Sequence, residues 1–358
     1  MVGGDTVAAG ASGYGTRQGG RVMKSAWAIA VAVAVAVAAV AAVAAVTWSP
    51  AAGRVPLCGQ APAAAPAIRH IIIVMLENRT RGQVIGSPDA PYETRLASAC
   101  GNATEAFGAT HGSASNYLAA SGGQYPASSL HGCNYPACAS DENNVYQQLD
   151  RTGRTWKAYE ESMPSACDKV SAWPYKIGHN PAIFYTGISV AECRADDVPV
   201  ASLTARSGAF YDALRGGTLP SVAWVTPNRN NDGEGRCSRP CALAAADTWL
   251  RRFLTLVTAA PAYRDGSVLV LVTYDEGTGP DNEFGENCAD KSADLAGSQP
   301  SCHLPLFVVW QDAKPGGNGT FFTLYSITRT VEGIFGLPCL AHACDPATAS
   351  LAGSGFGF

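Results

Sequence analysis

Residues 71–76 form an unbroken apolar run rich in β-branched side chains, and it ends abruptly in Glu77-Asn78. A short run without polar alternation fits a strand buried on both faces, as in a parallel sheet. Residues 267–274 repeat the pattern and end in Asp275-Glu276-Gly277. Residues 221–226 and 304–310 predict two further buried strands. Elsewhere the period changes. Residues 242–259 place Trp249, Phe253, Leu256 and Val257 on one helical face. Residues 143–159 predict a helix and then a strand, 211–217 the end of a helix, and 322–335 a final helix. Residues 174–200 read as irregular, and 100–138 as loop-rich, with a helix start at residues 113–116. Strands alternating with helices predict an α/β fold, a mostly parallel central sheet with helices on both faces.

Polar residues at the end of a buried strand are poorly placed for a core and well placed for a site, because open α/β sheets bind ligands at the carboxyl ends of their strands. Side by side, the two long strands bring Glu77, Asn78, Asp275 and Glu276 to one edge. Three carboxylates there repel one another unless a cation neutralises them. Either pair alone reads as a turn or a helix cap. The two together, on matching strand ends, point to a hard-cation site.

Composition sets the compartment and narrows the partners. A net charge of −4 leaves no basic footprint, so nucleic-acid binding has no support. Residues 26–46 are an uninterrupted apolar run of roughly 20 residues, long enough to span a bilayer. Arg17, Arg21 and Lys24 precede it and orient its start towards the cytoplasm. Residues 1–25 are thus a cytoplasmic or over-extended tail, 26–48 a signal peptide or membrane anchor, 49–67 an Ala/Pro-rich linker, and 68–358 the folded domain. Either fate of the apolar run puts the domain outside the cytoplasm, secreted or anchored to the membrane. Twelve cysteines in an exported chain read as disulfides. Proximity in sequence suggests Cys133–Cys138, Cys167–Cys193, Cys237–Cys241, Cys288–Cys302 and Cys339–Cys344, leaving Cys58 for Cys100.

Ser113 is the candidate nucleophile. At a helix start it would face free backbone N–H groups and the positive end of the dipole, which suits a phosphate. The competing role for Ser113 is that of a simple N-cap. Several short motifs occur in order around it: His-x-Ser-x-x-Asn-Tyr at 111–117, Lys-x-x-His-Asn-Pro at 176–181, Leu-Pro-Ser-Val-Ala-Trp-Val-Thr-Pro-Asn at 219–228, Asp-x-Trp-Leu at 247–250, Tyr-Asp-Glu-Gly at 274–277 and His-x-Pro-Leu at 303–306. With the strand ending in Glu77-Asn78, this ordered set resembles the bacterial phosphoesterase family of acid phosphatases and phospholipases C, within the alkaline phosphatase-like superfamily. It is most similar to the short acid phosphatase members, some of which act on phosphoinositides. The resemblance covers roughly residues 68–340.

The resemblance implies a divalent cation held by Glu77, Asn78, Asp275 and Glu276, and a phosphoserine intermediate at Ser113. An all-oxygen ligand set favours Mg²⁺, Ca²⁺ or Mn²⁺, with Zn²⁺ left open. Asn116 and Asp232 are the candidate phosphate-binding residues. His179 and His303 are candidates to bind phosphate or protonate the leaving group. One departure stands out. Where the family shows Asp-x-His after Val-Thr-Pro-Asn, this chain has Asp232-Gly233-Glu234. Glu234 adds negative charge where phosphate should sit. A smaller departure is Gly112 in place of a common proline. The expected activity is that of an exported, metal-dependent phosphomonoesterase acting on a small phosphate ester or a phospholipid head group. The rivals are a phospholipase C-like phosphodiesterase and a cell-surface binding protein with a decayed site.

Overall fold

The computed structural model describes residues 58–59, 67–130, 135–279, 286–292 and 295–358. The tail at 1–25, the apolar segment at 26–48 and most of the linker lie outside the described residues. Among the described residues no helix is long and apolar enough to cross a membrane.

Among the described residues eight strands make one sheet: β1 (His70–Leu76), β2 (Gly101–Phe107), β3 (Trp156–Glu161), β4 (Asp197–Val200), β5 (Val222–Thr226), β6 (Val268–Tyr274), β7 (Leu306–Val309) and β8 (Gly316–Thr323). Their order across the sheet is β4-β3-β5-β1-β6-β7-β2-β8. Only β7 runs against its neighbours β6 and β2, so the sheet is mostly parallel, as the apolar runs predict. β1 and β6 occupy the middle, and every residue of β6 is buried. That is the condition for a strand covered on both faces. One group of helices packs together around Ser113–Gly122 and Tyr325–Phe335, and another around Pro91–Ala99 and Arg239–Thr258.

Several elements differ from expectation. β2 (GNATEAF) and β8 (GGNGTFFT) lie in stretches that looked like loop or helix. Glycine and asparagine disfavour strands, but β2 and β8 form a parallel ladder, and β2 also pairs with β7. The last helix begins at Tyr325, because Phe322 and Thr323 complete β8. The stretch expected to be irregular carries the helix Val190–Asp196 and β4. The long amphipathic helix is Arg239–Thr258, with Pro240 in its first turn, and Leu254 rather than Leu256 completes its buried face.

Five disulfides join Cys58–Cys100, Cys167–Cys193, Cys237–Cys241, Cys288–Cys302 and Cys339–Cys344, each an expected pair. Cys138 is also disulfide-bonded, and Cys133 lies outside the described residues. Crosslinks at this density point to an extracytoplasmic protein.

Candidate active site

The sheet register builds the site. Leu76 of β1 sits opposite Tyr274 of β6, so the residues that follow, Glu77 and Asp275, leave the sheet side by side. The Asp275 N–H donates to the Leu76 carbonyl at 3.0 Å and extends the ladder by one step. Asn78 then turns the chain with φ of +58°, a conformation that asparagine tolerates better than most residues. In that turn its backbone N–H donates to Asp275 Oδ1 at 3.0 Å, and its carboxamide donates to Glu77 Oε2 at 3.1 Å.

The helix Ser113–Gly122 delivers the serine. Its cap is Gly112, with φ of +110° and ψ of 111°, and no side chain caps the helix. Proline, fixed near −65°, could not take that φ. Gly112 N–H donates to Glu276 Oε2 at 2.7 Å. Ser113 is therefore the first helical residue rather than the cap. Its hydroxyl donates to Glu77 Oε2 at 3.1 Å and lies 3.5 Å from Glu276 Oε1.

His179 and Tyr117 close the cluster from the other side. Tyr117 donates its phenol to Glu77 Oε1 at 2.6 Å. The His179 ring stacks parallel to the Tyr117 ring, with centroids 5.5 Å apart. His179 Nε2 is 3.2 Å from Glu77 Oε2, and Nδ1 is 3.7 Å from Asp232 Oδ2. Asp232 is held in a turn through Gly233, whose φ is +109°; a Cβ there would come within 2.8 Å of the Glu77 carbonyl. Glu234, which promised to burden the site with charge, does not stand alone. Arg229 grips both of its oxygens at 2.7 Å, and Lys176 Nζ is 3.8 Å away.

Burial and mutual repulsion dominate the electrostatics. Burial, reinforced by the charge of Asp275, raises the Glu77 carboxyl well above its ordinary range. Asp275 is pushed up to about 7, by burial and then by Glu276. Burial carries Asp232 to about 8. Burial also lowers His179 well below its usual value, with Lys176 and Arg229 adding to the effect, so the ring is neutral. Asp275 Oδ2, Asp232 Oδ2 and His179 Nε2 are buried without a well-aligned hydrogen bond, although Glu77 and Ser113 lie close enough to Asp275 to offset part of its burial. Buried polar atoms rarely go unsatisfied. Converging carboxylate oxygens with orphaned lone pairs suit a hard divalent cation, which would replace the protons that these groups otherwise retain. Two other groups among the described residues bring ligand-type atoms together, His111 with Glu286, Cys288 and Cys302, on the far side of Glu276, and Asp197 with Cys167 and Cys193. Their sulfurs are tied up in disulfides and offer no thiolate.

Of the residues singled out in the sequence, Glu77, Asn78, Ser113, His179, Asp232, Asp275 and Glu276 come together. Asn116 and His303 have their polar groups engaged elsewhere. The Asn116 carboxamide accepts from the Ala109 and Thr110 N–H groups and donates to the Thr110 carbonyl, bracing the loop before Ser113. His303 Nε2 bonds to the Thr104 carbonyl at 2.7 Å, and its ring stacks on Phe107. Two residues of the Ser113 motif had no assigned role. One is Tyr117. The other is His111, fully buried, with Nδ1 3.4 Å from Glu276 Oε2 and Nε2 3.1 Å from Ser301 Oγ. The ordered motif was the available signal for both.

Known proteins resemble this chain to different depths. The model of the phosphoesterase family matches residues 86–338. A phosphatidylinositol-3-phosphatase from Mycobacterium tuberculosis is 26% identical over 294 residues, covering 82% of this chain and 85% of the relative. A phosphate-repressible acid phosphatase from Penicillium chrysogenum is 27% identical over 248 residues, covering 67% of this chain and 53% of the relative. A crystal structure in the alkaline phosphatase superfamily, from Vibrio parahaemolyticus, superposes with a TM-score of 0.57 over 81% of this chain and 72% of its own, at 14% identity. That last likeness is one of fold.

Proposed function

We propose that this chain, which belongs to the phosphoesterase family and is a phosphoric ester hydrolase, is an exported, metal-dependent phosphomonoesterase acting through a phosphoserine at Ser113. The observation that carries this reading is the Ser113 hydroxyl at a helix N-terminus, between Glu77 Oε2 and Glu276 Oε1. A serine hydroxyl needs a base or a metal to become a nucleophile. A hard divalent cation held by Glu77, Asn78, Asp275 and Glu276 would lower the hydroxyl pKa and neutralise phosphate charge. Glu77 holds the hydroxyl by accepting its proton in a hydrogen bond. Tyr117 fixes the other Glu77 oxygen. Ser113 Oγ forms the new bond to phosphorus as the bond to the ester oxygen breaks, and the hydroxyl proton passes by way of Glu77 to the departing alcohol; water then cleaves the phosphoserine, returning the serine hydroxyl and releasing phosphate. Free N–H groups in the first turn of the helix face the phosphate oxygens.

Export is supported by the disulfides and by the apolar run at 26–46. The relative from Mycobacterium tuberculosis is named for a phosphoinositide substrate, and we extend that substrate class to this chain. The retained Glu77, Ser113 and Asp275 cluster argues against a decayed binding protein.

The test is Ser113→Ala together with acid-quenched mass spectrometry of the parent enzyme during turnover. The variant should lose about 10³-fold or more in turnover and still bind phosphate. The parent should carry phosphate on the peptide containing Ser113. Near-normal activity in the variant, or phosphate on Ser115, would overturn the assignment. In the structure Ser115 is buried and hydrogen-bonded to Ser129 at 2.7 Å.

A further inference from the structure

Among the described residues, large apolar side chains are exposed at only three positions: Val170 (69%), Trp173 (38%) and Val190 (61%). Two of them lie three residues apart on one loop. The third begins the helix Val190–Asp196, to which that loop is tied by Cys167–Cys193. The loop is braced rather than slack. Ala172 and Tyr175 exchange backbone hydrogen bonds of 3.2 and 2.8 Å, the Tyr175 hydroxyl donates to the Asp168 carbonyl at 2.8 Å, and Arg229 N–H donates to the Pro174 carbonyl at 3.1 Å. A braced loop that exposes Val170 and Trp173 together holds a small apolar tip in water.

Cations surround the apolar tip. The Arg236 guanidinium lies 3.6 Å from the centroid of the Trp173 ring, and that of Arg229 lies 4.9 Å away. Lys169 Nζ sits 3.9 Å over the Tyr135 ring. Lys176 follows on the same segment, three residues before His179. Acids nearby include Glu234, paired with Arg229 and 3.8 Å from Lys176, Asp168, bonded to Ser165 and to the Val170 N–H, and Glu192, two residues after Val190. Lys169, Lys176, Arg229 and Arg236 still outnumber these acids, on a chain of net charge −4. The patch also borders the site, since Glu234 N–H donates to Asp232 Oδ1, and Asp232 faces His179.

We infer that the Val170–Trp173 tip, with Lys169, Lys176, Arg229 and Arg236, is a docking surface for an anionic lipid bilayer, which presents membrane-borne phosphate esters to the Ser113 site. An exposed tryptophan and an aliphatic neighbour match the interfacial zone of a bilayer. The cations match an anionic leaflet. A phosphopeptide would use the charges but not the protruding apolar pair. The substrate half of the inference rests on the phosphomonoesterase reading.

The test uses the full chain and four substrates: a soluble aryl phosphate, a soluble phosphopeptide, a short-chain soluble phosphatidylinositol 3-phosphate, and the long-chain lipid in phosphatidylcholine vesicles doped with phosphatidylserine. The double variant Val170→Ala/Trp173→Ala should match the parent on the three soluble substrates and lose about tenfold on vesicles. Arg236→Ala should lose vesicle activity in low salt and approach the parent in high salt. Equal vesicle turnover by parent and double variant overturns the inference. An equal loss on the short-chain lipid overturns it too, because the patch would then read a head group. A loss on a soluble phosphopeptide that exceeds the loss on vesicles has the same consequence. If the parent fails on aryl phosphate, the enzymatic reading falls, and vesicle co-sedimentation still decides the surface: weaker binding by the double variant supports it, and equal binding overturns it.

Discussion

Glu77 and Ser113, 36 residues apart in sequence, share a 3.1 Å hydrogen bond at the carboxyl edge of the sheet. The carboxylate comes from the end of β1 and the hydroxyl from the first turn of a helix. One arrives on a strand buried on both faces, the other at the positive end of a helix dipole. Their meeting sets a hydroxyl beside a row of strand-end acids, and the proposed nucleophilic role of Ser113 rests on that contact.

The acids predict metal dependence. Asp275 accepts from the Asn78 N–H through Oδ1, while Oδ2 is buried without a well-aligned hydrogen bond. Asp275→Asn keeps the shape and removes a charge. It should weaken cation binding and turnover together, with partial rescue by excess metal. Elemental analysis and calorimetric titration of parent and variant provide the check. Full activity in stripped parent protein would remove the cation from the mechanism.

Tyr117 is a positioning residue for Glu77. Tyr117→Phe leaves Glu77 Oε1 without its 2.6 Å donor in a buried site. An unsatisfied buried acceptor costs about 1–3 kcal/mol. The variant should melt earlier and turn over about tenfold more slowly with KM nearly unchanged. A lower Tm with unchanged kcat would confine Tyr117 to a structural role.

Stability should favour acid. Away from the site, burial pushes Glu93 up to about 8 and Asp197 up to about 7. Both lie above their unfolded values of about 4, so the folded chain holds the extra protons. Stability is then complete below the unfolded pKa and falls as pH rises through the folded one. Thermal melts in chelator should show Tm decreasing from about pH 5 to about pH 8. Glu93→Gln should flatten that slope. A Tm that climbs across the range would contradict the burial argument.

The cysteines should be oxidised. Thiol titration of denatured, unreduced protein should find almost no free thiol, in keeping with the five disulfides and the bonded Cys138. Reduction should lower Tm. A single lost bond costs about 2–5 kcal/mol in small secreted domains and less in a chain with a larger core. Most of the twelve cysteines reacting would refute export.

The central strands were legible because burial on both faces demands consecutive apolar residues, and β1 and β6 supply them. The polar residues that end those runs were legible for the same reason, since Glu77 and Asp275 interrupt a pattern that the core would have continued. β8 was not legible. Its Gly-Gly-Asn-Gly start carries no strand preference, and it is a strand because β2 supplies the partner hydrogen bonds. Side-chain roles divide along the same line. Residue type and motif order brought Ser113 and His179 to notice, and they equally proposed Asn116 and His303, whose hydrogen bonds run to nearby backbone. Glu234 read as an unwelcome charge until Arg229 and Lys176 were seen around it. Hydrophobic burial is written into runs of neighbouring residues. Whether a polar group is free or already partnered depends on how the chain folds back on it, as Arg229 does on Glu234 within one loop and Thr104 on His303 across the sheet, and only the tertiary structure decides that.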